Sequence, residues 1–429
     1  MADSKSADGG IWHAIGPGIL FAGAAVGVSH LVQSTRAGAA YGFALVFFVV
    51  LANAIKYPAF RFGQQYAAAT GTSLLEGYRR RGKWALALYA ALTVATMLTV
   101  QAAVTFVTAA LGLYLFGWDI GVTTASGLLI GICAALLVLG RYAWLDRVVK
   151  LAVVVFTIAT FLAAIAAASR APWGGPWFPD FGALGVGDLM FIAALIGWMP
   201  SAIDISVWQS LWTLARARDS GRAPSVRESM IDFHVGYIGT AVLALCFVLM
   251  GAAIMHGGGR EIPEQPVAFA GALVELYTTT LGGWTRPIIA ASAFMVMFST
   301  TFTVTDGFPR AIDVLIQRWR EAEAPITETL DDESQGRGYW GAMAVILLGT
   351  LALLAFAVQS LKGLVDVATT LSFLTAPMLA WLNHAAMRGD EVPEDGRLRG
   401  WLWTASWLGI AIQAIFALGY LYLRFGVSS

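Results

Sequence analysis

Apolar residues along this chain gather into long runs separated by short polar or Gly/Pro-rich stretches. A helix needs about 20 consecutive apolar residues to cross a bilayer. Runs of that length lie at 15–41, 43–61, 84–115, 121–140, 147–169, 187–215, 230–255, 285–315, 339–358, 362–386 and 399–424. The longest polar connections are Arg216 to Glu228, His256 to Pro266 and the acidic Glu321 to Gly338, which read as loops or short amphipathic pieces, not as a soluble domain. Met1 to Gly10 is polar and lacks the basic region and cleavage site of a signal peptide, so the first span is expected to stay in the mature chain. The pattern predicts an all-α integral membrane protein of about 11 crossings, a single transmembrane domain over 1–429.

Two of these runs carry polar and helix-breaking residues near the middle instead of at the ends. The first reads Gly16-Pro17-Gly18, Gly23, then Gly27-Val28-Ser29-His30 and Gln33-Ser34; the sixth reads Gly197-Trp198-Met199-Pro200-Ser201, then Asp204 and Gln209-Ser210. They stand five spans apart, and each runs from its break to a Gln-Ser pair. That is the form of two five-helix repeats of opposite topology, 15–169 and 187–386, with 399–424 as an extra C-terminal helix. In such repeats the first helix is unwound at mid-membrane and its freed backbone groups bind substrate. The expected architecture is therefore a LeuT-type 5+5 inverted repeat with discontinuous helices one and six. Gly and Pro also serve kinks and close packing in membrane helices, so either break alone says less than the matched pair.

Composition agrees with the span reading. Only 13% of the residues are charged against 58% hydrophobic, where soluble domains carry roughly 25% charge. The net charge of zero gives no basic stripe for nucleic acid. Cys133 and Cys246 sit inside apolar runs without metal-knuckle spacing, so neither a metal nor a disulfide framework is implied. With the N-terminus inside, 21 of the 27 Lys and Arg fall on the cytoplasmic side, Lys56 among them, and five outside, with Arg36 within span one. The positive-inside rule then places the N-terminus in the cytoplasm and the C-terminus outside, and the expected location is a bacterial inner membrane. The chain has no HExxH or GxSxG motif for an enzyme and no phosphate-binding GxxxxGK[ST] loop for ATP, which leaves secondary transport and no expected cofactor.

The stretch from Gly16-Pro17-Gly18-Ile19-Leu20 through Ala37-Gly38-Ala39-Ala40-Tyr41-Gly42 resembles the first helix of the Nramp divalent-metal transporters. Ala69-Thr70-Gly71-Thr72-Ser73-Leu74 resembles that family's loop after helix two, Met199-Pro200 the start of its helix-six motif, and Ser299-Thr300-Thr301-Phe302-Thr303 its Ser/Thr-rich eighth helix. The resemblance implies an ion transporter, and the departures from it bear on the substrate. Where the family has Asp-Pro-Gly-Asn, with Asp and Asn as metal ligands, this chain has Gly27-Val28-Ser29-His30. Met199 matches the family's thioether ligand, its following His has become Ser201, and the second helix-six His aligns with Ser206. The third span, Ala85 to Leu111, holds no Asp, Glu, His, Lys or Arg, whereas the family uses acidic residues there to move protons.

These changes point away from a bare dication. The substrate contacts expected at the breaks are Gly27, Val28, Ser29, His30, Gln33, Ser34, Gly197, Met199, Pro200, Ser201 and Thr375. Helix starts with free N–H groups attract anions, and His30, Gln33 and Ser34 are expected on one face. The leading reading is a small inorganic anion such as bicarbonate, moved by alternating access with H+ or Na+ coupling. A divalent cation held by Met199 and Asp204 is the second reading, and a non-transporting sensor the third. Asp204 is an intramembrane acid, hence a candidate to carry a proton, pair with Arg36 or His30, or replace the lost metal carboxylate. Arg36 is read as a gate or anion attractor, or as snorkelling to water. Ser299, Thr303 and Asp306 fall on one face of span eight, where they either assist a coupling ion or support packing. His234, near Asp232, reads as interfacial, and His13, His256 and His384 lie at or beyond span ends.

Overall fold

The computed structural model describes residues 17–140, 143–256, 263–320, 336–356, 360–394 and 396–425. The first apolar run folds in three pieces: α1 (Pro17–Ala25), a break over 26–28 and a wide π-helical stretch (Ser29–Ser34) that passes into α2 (Thr35–Tyr41). Then come α3 (Val46–Thr70), α4 (Leu74–Arg81), α5 (Lys83–Phe116), α6 (Val122–Leu139) and α7 (Ala143–Ala168). The second broken run is α8 (Val186–Gly197) and α9 (Ile205–Ser220), separated by the irregular segment 198–204. It is followed by α10 (Val226–Met250), which ends in a π-helical turn at Gly251–His256, then α11 (Pro266–Leu281), α12 (Arg286–Arg320), α13 (Arg337–Phe356), α14 (Leu361–Ala386) and α15 (Trp401–Phe425). Among the described residues nine helices are long and apolar enough to cross a bilayer, and with the two broken runs they make up the eleven predicted spans. His13 and most of the acidic Glu321–Gly338 connection lie outside the described residues.

Two helices are additions to the sequence reading. Helix α4 occupies a connection read as loop, and α11 falls in a stretch too short to register as a crossing, yet it buries Phe269, Leu273 and Tyr277 against the bundle. Spans α3, α5, α10, α12 and α14 supply the interior. By contrast α6, α7, α13 and α15 expose large apolar side chains, such as Ile132, Ile165, Leu348 and Leu418, as a bilayer-facing rim requires. Phe21, Phe60 and Tyr237 pack within 6 Å of one another and join α1, α3 and α10.

The broken helices are held by backbone-to-backbone approach. A Cβ at Gly197 would stand 2.0 Å from the Thr369 carbonyl of α14, and one at Gly38 2.0 Å from the Val248 carbonyl of α10. Only glycine allows contacts this close, the small-residue packing on which helix association in lipid relies.

Helix α4 is fixed by Glu76, which is 1% exposed. Its oxygens accept from Arg79 at 2.7 and 2.8 Å and from Arg80 at 3.0 Å, and Arg318 at the end of α12 stands 3.5 Å away. Burial by itself would push this carboxyl up, but the guanidinium hydrogen bonds outweigh burial and hold it below the usual carboxylate range. Glu76 therefore stabilises the fold above the ordinary carboxylate pKa, and the contribution is lost as pH falls through the depressed value. Glu76→Gln is expected to lower the thermal midpoint in detergent at pH 7, with a loss on the order of 3 kcal/mol. The gap to wild type should close on acidification; a gap that stays constant with pH would refute the ionic role.

Candidate functional site

The two breaks meet. Ser29 Oγ lies 3.0 Å from the carbonyl of Pro200, 2.9 Å from that of Ala25 and 2.8 Å from His30 Nδ1, so a single hydroxyl bridges span one to span six. A cavity of about 30 Å³ opens beside this bridge, between Val28, Ser29, Ser201, Asp204, Trp208 and Thr300. Asp204 is 1% exposed and among the described residues neither of its carboxylate oxygens has a hydrogen-bond partner, nor has the Trp208 indole N–H. A carboxylate held in a membrane interior without a partner is costly, and such groups mark ion pathways.

Several expected contacts are placed elsewhere. His30 Nε2 is 2.9 Å from the Thr240 carbonyl of α10, on the far side of the break, while Gln33 donates to Asp366 and Thr369 of α14, both at 3.3 Å. Ser34 turns back to the Ser29 carbonyl at 3.1 Å. His30 thus points to α10, Gln33 to α14 and Ser34 back to its own chain, so the three side chains find separate partners along the π-helical stretch Ser29–Ser34. Met199 is fully buried in an apolar cluster with Ala37, Phe48, Ile196 and Phe373, and its thioether does not line the cavity. Thr375 bonds to the Ser372 carbonyl of its own helix, and it is Ser372 that meets the core, accepting from Trp198 Nε1 at 2.7 Å. Gly197 contributes close packing against Thr369.

At Gly27 a Cβ would meet Thr300 at 3.1 Å, so the space beyond the position where the family's carboxylate stands is taken by Thr300. Thr300, which donates to the Gly23 carbonyl at 3.0 Å, is the member of α12 that ties this helix to the break. Ser299 and Thr303 make no such contact to the break, and Asp306 accepts from Arg310 at 3.0 Å and Tyr339 at 2.7 Å, a packing role. Asp204 pairs with neither Arg36 nor His30. Ser206 accepts from Asn383 at 2.7 Å. His234 meets Tyr57 at 2.7 Å, Asp232 accepts from Gln64 at 3.0 Å, and His384, buried at the α15 contact, lies 2.9 Å from Ser406.

Arg36 does not snorkel. It is 8% exposed and makes two hydrogen bonds to Asp366, at 2.7 and 3.2 Å, a third to Gln33 at 2.8 Å, and stacks 4.6 Å over the Phe191 ring. Both partners border a vestibule of about 1030 Å³ that also touches Tyr41, Asp188, His256 and Lys362. Along span one, Val28 and Ser29 face the small cavity and Arg36, Ala39, Ala40 and Tyr41 the vestibule, with Gln33 between them in the chain. Asp366 was not singled out from the sequence; the signal was an acid inside an apolar run, matched to an unexplained arginine in another. Lys56 was missed as well. Counted with the loop cations, it is fully buried in α3, its Nζ 2.7 Å from the carbonyls of Ile196 and Gly197 and 3.4 Å from that of Ser201.

A family model described as natural resistance-associated macrophage protein-like, Nramp, matches residues 18–423. The chain belongs to the Nramp family. An uncharacterized protein of Pasteurella multocida (strain Pm70) is 36% identical to it, over 97% of this chain and 94% of that one. Among solved structures, a mutant of the Eremococcus coleocola manganese transporter is similar with a TM-score of 0.67 at 16% identity, over 99% of this chain and 90% of that one. MhsT in complex with L-phenylalanine is similar with a TM-score of 0.64 at 14% identity, over 95% and 98% of the two chains. These likenesses establish the LeuT-type fold of this Nramp-family chain, and with the family they identify an integral membrane transporter and not an enzyme.

The Arg36–Asp366 pair should act as a barrier between vestibule and cavity. In a background with Cys133 and Cys246 replaced by Ala, a Val28→Cys reporter is expected to react slowly with a polar maleimide. It should react severalfold faster once Arg36→Ala is added. Equal rates would show that the pair does not close the path.

Proposed function

We propose that this Nramp-family chain is a secondary transporter for a hard divalent metal cation of the magnesium or manganese type, bound at Asp204. The observation that carries the reading is the Asp204 carboxylate, buried and without a hydrogen-bond partner among the described residues, at the cavity where both broken helices meet. It supplies the anionic oxygen that Gly27 no longer provides, from the other broken helix. Ser29, Ser201 and Thr300 add hydroxyl oxygens around the same cavity. Oxygen donors suit hard cations, and because the Met199 thioether is turned into the apolar cluster, the softness that favours later transition metals is lacking. Solved relatives in fold are described as manganese transporters, which agrees with a metal cargo.

The small-anion reading, bicarbonate first, loses its supports in the same geometry. His30 is engaged behind the break, Arg36 is neutralised by Asp366, and an unpaired carboxylate at the cavity repels an anion. The coupling ion follows from neither argument. In proteoliposomes, uptake of manganese or magnesium should depend on the protein. Asp204→Asn should reduce it more than about tenfold, the scale of one lost charge-assisted interaction. Asp219→Asn, an exposed carboxylate in the last turn of α9, should leave uptake unchanged. Labelled bicarbonate entry without metal entry would overturn the proposal.

A further inference from the structure

Lys56 is the fully buried lysine of α3, and its ammonium faces carbonyls alone. No carboxylate lies within ion-pair distance of it among the described residues. An ammonium has three donors and no acceptor, and here three carbonyl oxygens meet them: Ile196 and Gly197 at 2.7 Å and Ser201 at 3.4 Å. The sequence explains why these oxygens are available. Ile196 and Gly197 end α8, where the last carbonyls lack α-helical i+4 donors and the helix dipole is negative; from the backbone Ile196 accepts only turn bonds, from the Trp198 N–H and from the Met199 N–H at 3.3 Å. The residue four beyond Ile196 is Pro200, which has no N–H to offer. Carbonyls released at the end of a half-helix inside a membrane are the groups that coordinate a free monovalent cation in transporters with broken helices.

We infer that Lys56 is a tethered cation: its ammonium permanently fills a carbonyl site at the helix-six break that would otherwise take a free monovalent cation such as sodium. The charge cannot leave with the cargo, so this break needs no free sodium ion to be stable. The inference stands on the carbonyl cluster and not on the nature of the transported solute, and its test reads stability instead of transport. Purified full-length protein in detergent is unfolded thermally in sodium chloride, methylammonium chloride or N-methylglucamine chloride at equal ionic strength.

Wild type is expected to give one midpoint in all three. Lys56→Ala should fall in N-methylglucamine and recover saturably, by at least about 2 °C, when sodium or methylammonium is supplied. Lys56→Met keeps the bulk of the stem without the charge, and should be weakened without recovering in any of these salts. Should Lys56→Ala not be recoverable as folded protein, Lys56→Ser, equally short and uncharged, is expected to show the same cation response. A variant midpoint indifferent to the cation, or a wild-type midpoint that rises with sodium as much as the variant's does, would overturn the assignment.

Discussion

Cutting a helix in the middle of a bilayer leaves backbone N–H and C=O groups that lipid cannot satisfy, so each must find a partner in the protein. This constraint is imposed twice, at 26–28 and at 198–204, and the arrangement of the interior follows from it. Ser29 reaches across to the Pro200 carbonyl, Thr300 closes on Gly23, and Lys56 fills the end of α8. With these groups engaged, the Asp204 carboxyl stands out as a buried acid without a hydrogen-bond partner among the described residues.

The broken helices are held by two kinds of contact. At the vestibule a bidentate guanidinium–carboxylate contact joins α2 to α14, with Gln33 bonded to both partners. Such a contact is strong and directional, yet it consists of side chains and can be parted without unfolding a helix. The other contacts are backbone approaches, Gly38 to α10 and Gly197 to α14, where a side chain has no room.

Thr300 fills the space beside Gly27, the buried acid Asp204 lies at the break of span six, and a lysine holds the carbonyls at the end of α8. Both breaks border one cavity, so side chains from either span reach the same space.

The crossing pattern and the positions of the two breaks were legible in the sequence, since apolar length and Gly/Pro placement are local properties that a bilayer reads directly. Asp204 was legible for the same reason: an acid inside an apolar run has to have a purpose. The partners were not legible. Arg36 meets Asp366 across 330 residues and Lys56 meets Ile196 across 140, and no spacing rule links positions so far apart. Met199 looked like a ligand by type and place, but only packing decides which way a side chain at a break points, and the surrounding Phe48, Ile196 and Phe373 turned it inward. The sequence alone determined that this chain crosses a membrane and where its helices must open. Tertiary structure decided which charged and polar groups are paired at those openings and which are left without a partner among the described residues, because burial and partnership are properties of neighbours brought together by folding.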